Sequence, residues 1–190
     1  MLLDRRTLLA TLAFAPAGRA LAQSSAPAMS GRTASSFTFD KLDGGELRLS
    51  AFAPRPILVV NTASFCGFSS QLGGLQALYA DLKGRGLTVV GVPSNDFGGQ
   101  EPGPSAETAG IARQHGVTFP MAAKAKVLGA DAHPFFRWAL AEKPRDPPRW
   151  NFHKYLVGVD GHVAAVFPTS VEPGDPAVRA AIERELAKTA

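Results

Sequence analysis

The sequence predicts an α/β domain: a mixed central sheet flanked by helices on both faces. Three observations carry this. The runs PILVVNTA and LTVVGVP are continuous apolar stretches of strand length, the pattern of strands buried on both faces. Between them, QLGGLQALYADLKGRG places Leu72, Leu75, Leu78, Tyr79 and Leu82 at helical spacing. A strand-helix-strand unit implies a parallel pair with a right-handed crossover. Later, KYLVGVD and HVAAVFP form a hairpin around Asp160-Gly161, which adds antiparallel strands.

The remaining elements follow in order. SSFTFDKLDGGELRLSAFA reads as a hairpin: Phe37 and Phe39 alternate with polar neighbours, Asp43-Gly44-Gly45 supplies the turn, and Leu47 and Leu49 alternate again. Gly84 and Gly86 stop the first long helix. SAETAGIARQHG is a short helix with Ser105 as its expected N-cap. Ala132-His133-Pro134 leads into the helix FFRWALAE, which Lys143-Pro144 closes. DPAVRAAIERELAKTA is a terminal amphipathic helix, with Asp175 as cap, Pro176 in the first turn, and Val178, Ile182 and Leu186 on one stripe. A thioredoxin-like domain is the most economical architecture with this order.

At 190 residues and 45% hydrophobic content, the chain fits one globular domain with a real core. The net charge of +4 is modest and no basic cluster stands out, which argues against a nucleic-acid partner. The 19 glycines and 15 prolines are scattered as turn punctuation and form no low-complexity tract. The start, MLLDRRTLLATLAFAPAGRALAQ, has the form of an export signal. Arg5-Arg6 precede the apolar run Thr7 to Pro16, too short to span a bilayer, and Ala20-Leu21-Ala22 resembles a cleavage site. The paired arginines point to the twin-arginine route, with the Sec route as the alternative, and to a periplasmic location, with no membrane anchor after cleavage. The expected division is 1–22 signal, 23–34 flexible leader and 35–190 folded domain.

Cys66 is the sole cysteine, so no intramolecular disulfide is possible. It lies in NTASFCGFSS, just past the first buried strand and before the first long helix. Backbone N–H groups at a helix start favour the thiolate. On position alone, Cys66 fits a reactive thiol and a buried inert cysteine equally. The loop PSNDFGGQEPG follows the second buried strand and holds Asn95, Asp96, Gln100 and Glu101. Both segments fall at carboxyl ends of strands, where sites form in open α/β sheets. In RWNFHKYLV, Trp150 and Asn151 carry neutral donors suited to a thiolate or a departing oxyanion, though on these residues alone a packed Trp and a turn Asn is the better reading.

Taken together and in register, NTASFCG, PSNDFGGQEPG, AHPFF and WNFHKYLV resemble the glutathione peroxidase family across roughly residues 36 to 170. The resemblance implies a thioredoxin-like fold and a peroxidatic residue at Cys66, with Gln100, Trp150 and Asn151 completing the catalytic set. The family usually reads Cys-Asn-Gln-Phe where this chain has Ser94-Asn95-Asp96-Phe97. Relatives that use thioredoxin often carry a resolving cysteine in the helix after the Gly-rich loop, and Ala112 stands there instead.

The implied activity is thiol-dependent reduction of hydrogen peroxide or organic hydroperoxides, a protection against oxidative stress. External thiols, glutathione or a thioredoxin-like protein, would regenerate Cys66. No metal or organic cofactor is implied: His115, His133, His153 and His162 are isolated and lack ligand spacing. The short segment between Trp138 and Trp150 leaves no room for an inserted subunit-contact loop and points to a monomer. The alternative is an exported thioredoxin-fold binding module, or a thiol-disulfide or metallochaperone-like protein without peroxidase activity. Against it, the expected Cys-x-x-Cys pair is missing, because Gly67-Phe68-Ser69 follows Cys66.

Overall fold

In the computed structural model, residues 31–189 are described, and the expected signal lies outside them. The first hairpin pairs β1 (Thr38–Asp40) with β2 (Glu46–Arg48) as a separate two-stranded sheet. The central sheet is built from β3 (Ile57–Thr62), β4 (Thr88–Pro93), β5 (Lys154–Val157) and β6 (Val163–Phe167). Its order is β4-β3-β5-β6. β3 and β4 run parallel, while β5 pairs antiparallel with both β3 and β6, so the sheet is mixed as expected.

The helices are α1 (Gln71–Leu82), α2 (Ser105–Gln114), α3 (Pro134–Glu142) and α4 (Pro176–Leu186). Strand alternation divides the core in two. Ile57 and Val59 of β3 face a cluster with Phe37, Phe39 and Leu47 of the hairpin segment and Phe135 and Trp138 of α3. Leu58 and Val60 face the opposite cluster, where Leu72, Leu75, Leu78 and Leu82 of α1 meet Val178, Ile182 and Leu186 of α4. Burying each such leucine contributes roughly 1.5–3 kcal/mol, so α1 is held by its stripe and not by propensity, given Gly73 and Gly74 in its first turn.

Two local expectations change. Gly84 does not end α1: the chain continues through a 3-10 turn, Lys83–Arg85, and stops at Gly86, whose φ of 114° favours glycine. Ser105 is the first residue of α2 and not its cap. The cap position belongs to Pro104, which has no side-chain acceptor to offer. The starts of α3 and α4 are capped from side chains: His133 Nδ1 accepts from Phe135 N at 3.2 Å, and Asp175 Oδ1 from Ala177 N at 2.7 Å. Residues at the end of the expected leader make specific contacts. Arg32 O accepts from the Trp138 indole at 3.0 Å, and Ala34 is buried.

Candidate functional site

β3 and β4 end side by side, with Thr62 opposite Pro93. The two loops that leave these ends are therefore neighbours. Cys66 lies in the turns between β3 and α1, a few residues before the helix proper. Its side chain is 4% exposed, and the Phe68 amide N–H points at its sulfur at 3.5 Å. The Ser69 amide donates to the Cys66 carbonyl at 2.9 Å. Of the helix-start donors expected from sequence, the one aimed at the sulfur is thus the pre-helical amide of Phe68.

The Gly-rich loop after β4 is fastened to the cysteine loop. Phe65 N donates to Gln100 O at 3.0 Å. Ser64 binds Glu101 twice, from its amide at 2.6 Å and its hydroxyl at 3.0 Å. The Glu101 carboxylate also accepts from Thr108 Oγ1 of α2 at 2.5 Å, and Glu101 is 2% exposed. Inside the loop, Asn95 Oδ1 accepts from Glu101 N at 2.9 Å. Asp96 Oδ2 takes the amides of Val127 and Leu128 at 2.6 and 3.0 Å.

The third segment precedes β5. Asn61, at the end of β3, holds it: its Nδ2 donates to Trp150 O at 3.1 Å, and its carbonyl accepts from Phe152 N at 2.6 Å. Phe152 has φ of 61°, unusual for an aromatic residue, so these bonds hold the backbone in a left-handed turn. Lys154, fully buried, donates to Phe152 O at 2.7 Å and Val171 O at 2.8 Å. Burial lowers its pKa to about 8, with Glu172 opposing. Burial likewise lowers His153 to about 4, and the neighbouring Lys154 charge adds to the shift.

The turn presents Asn151 to the Gly-rich loop. Asn151 Nδ2 donates to Gln100 Oε1 at 3.0 Å, and its Oδ1 is buried without a partner. The bond occupies the Gln100 oxygen, which leaves the Gln100 N–H2 as a donor. The Trp150 ring packs on Phe97 at 5.9 Å between centroids and over Gly98, where an added Cβ would meet it at 3.4 Å. The structure therefore joins Gln100, Trp150 and Asn151 directly, and ties Cys66 to them through the adjacent Phe65–Gln100 bond. Asn61, Glu101 and Lys154 did not figure as site residues in the sequence reading. Glu101 figured there only as a polar residue of the Gly-rich loop, and Asn61 only within an apolar run. Ala112, on α2, is buried at 6% exposure.

Comparison with known proteins gives a consistent picture. The glutathione peroxidase family model matches residues 35–140. The hydroperoxy fatty acid reductase gpx1 of Synechocystis is 39% identical over 169 residues, covering 84% of this chain and 99% of that protein. The glutathione peroxidase homolog BsaA of Staphylococcus aureus is 40% identical, covering 80% and 95%. Among solved structures, the apo form of Trgpx superposes with a TM-score of 0.68 at 31% identity, covering 83% of this chain and 97% of that one.

Proposed function

The chain belongs to the glutathione peroxidase family, and from that premise we propose that it is a thiol-dependent peroxidase whose attacking group is Cys66. The observation that carries the assignment of roles is the Gln100–Asn151 bond on the loop fastened beside the only cysteine.

The Cys66 thiolate attacks the terminal oxygen of a hydroperoxide. The S–O bond forms as the O–O bond breaks, and the electron pair leaves on the alkoxide, or on hydroxide when the substrate is hydrogen peroxide. A proton then completes the alcohol or water. The Phe68 amide steadies the thiolate, and the Gln100 N–H2 and Trp150 indole supply neutral donors to the oxygen that gains charge. Asn151 fixes which way the Gln100 amide faces.

The product is Cys66 sulfenic acid. One external thiol condenses with it, releasing water and leaving a mixed disulfide. A second thiol attacks that disulfide and frees Cys66. Glutathione and a thioredoxin-like protein are the candidate reductants. The names of the relatives, a hydroperoxy fatty acid reductase and glutathione peroxidase-like peroxiredoxins, support this chemistry. The test is peroxide consumption by the wild-type chain and by Cys66→Ser with each thiol supplied. Turnover confined to the wild type is expected, and equal turnover by the serine form would overturn the assignment.

We also propose export to the periplasm and action as a monomer. Arg5-Arg6 before a short apolar run supports the first, and the short segment between Trp138 and Trp150 supports the second. Replacing both arginines by lysine should retain the protein in the cytoplasm.

A further inference from the structure

Among the described residues, five large apolar side chains are exposed: Phe65, Phe68, Leu128, Leu140 and Trp150. Three of the five belong to the segments that carry Cys66, Gln100 and Asn151. Phe65, 53% exposed, immediately precedes Cys66, and its amide binds Gln100 O. Phe68, 40% exposed, carries the amide that points at the sulfur. Trp150, 38% exposed, packs beside Gly98 of the same loop as Gln100. The backbones of Phe65 and Phe68 are thus bonded to Gln100 and to the sulfur, and the Trp150 ring packs on the loop that carries Gln100. Exposed aromatics scattered over a surface need no explanation, but three of the five on the segments that build one candidate site call for one.

We propose that Phe65 and Phe68 are specificity-determining residues that, with the Trp150 face, receive the apolar tail of an organic hydroperoxide and steer its O–O end to Cys66. This rests on the reading of Cys66 as the peroxidatic group. Hydrogen peroxide has no apolar part and gains nothing from such a surface. A tail laid across the rings removes apolar area from water on both partners, which favours substrates with an alkyl or aryl chain. The scale of the patch suits such a ligand. Three partly exposed aromatic rings offer roughly 200–300 Å² of apolar surface, given about 150–250 Å² for each whole side chain. A stable protein interface takes about 800 Å² from each partner. Phe65 and Phe68 contribute to the chemistry only through their backbones, so their side chains are free to set selectivity.

The test is the single-turnover rate of Cys66 oxidation in the full chain with hydrogen peroxide, cumene hydroperoxide and linoleic acid hydroperoxide. The variants are Phe65→Ser, Phe68→Ser, the double serine form and Phe65→Leu. In the double form, the ratio of each organic-hydroperoxide rate to the hydrogen peroxide rate should fall about tenfold or more. Phe65→Leu should retain most of the organic rate, since it keeps an apolar side chain. The proposal is overturned if all three substrates slow equally, which signals a disturbed site. It is equally overturned if only reduction by a thioredoxin-like protein slows, which assigns the rings to a protein partner. Failure of the wild-type chain to react with any peroxide would instead refute the role of Cys66.

Discussion

Asn151 Nδ2 donates to Gln100 Oε1 at 3.0 Å, and this one bond joins the loop after β4 to the turn before β5. Asn151 is fully buried and Gln100 is not, so the buried amide orients the more exposed one.

Removing either partner should therefore damage the same step. Gln100→Ala should slow Cys66 oxidation by about 10²-fold, the usual scale for losing one preorganised donor. Asn151→Ala should slow it less, about tenfold, because Gln100 remains but turns freely. The double variant should be no slower than Gln100→Ala alone. Stopped-flow oxidation kinetics reads all three, and additive losses would separate the residues.

Glu101 gathers Ser64 and Thr108 onto one buried carboxylate. Glu101→Leu leaves the buried Thr108 hydroxyl and the partly buried Ser64 donors without an acceptor, which should cost about 2–4 kcal/mol of stability. Chemical denaturation measures it directly. The peroxide rate should fall as well, since the bonded residues Ser64 and Phe65 set the position of Cys66.

His153 predicts an acid limb in stability. Its folded pKa is about 4 against 6.5 for the free side chain, with burial the leading cause. Below pH 6.5 the unfolded chain takes up a proton that the folded chain refuses until about pH 4. Stability from this group is thus complete above pH 6.5 and is lost as pH falls toward 4, by up to about 3 kcal/mol. His153→Phe should flatten that part of the stability profile. An unchanged profile between pH 6.5 and 4 would show that His153 does not titrate in this way.

Peroxide alone should convert Cys66 to a sulfenic acid and then, with excess oxidant, to a sulfinic acid. A small thiol present during oxidation should trap a mixed disulfide one thiol heavier. Intact-mass spectrometry distinguishes these species. A stable product two hydrogens lighter, formed without thiol, would reveal an internal sulfenamide and contradict the scheme.

Much of this was legible in the sequence because periodicity reports burial. The apolar runs of β3 and β4 and the stripes of α1 and α4 each follow from one-dimensional spacing, as do both hairpins from their glycine-bearing turns. The four expected site residues needed the combined motifs, since a lone Trp-Asn pair has no spacing of its own. Glu101 and Lys154 were not legible as supports. Their partners lie on other elements, or in a backbone turn whose left-handed conformation leaves no mark in residue type. Ser105 failed as a cap for a related reason: a serine before a helical run fits the cap and the first turn alike, and the preceding proline decided it.

The alanine at position 112, shut inside the fold on α2, has a kinetic consequence. No second sulfur waits on that helix to be carried to the first, so nothing in the cycle asks α2 to unwind or the Thr108–Glu101 bond to open. The protein's pace after each oxidation is set outside the molecule, by how often a reduced thiol arrives, and the oxidised form persists for as long as thiols are scarce. Such a molecule reports the thiol supply of its surroundings by the fraction of itself left oxidised.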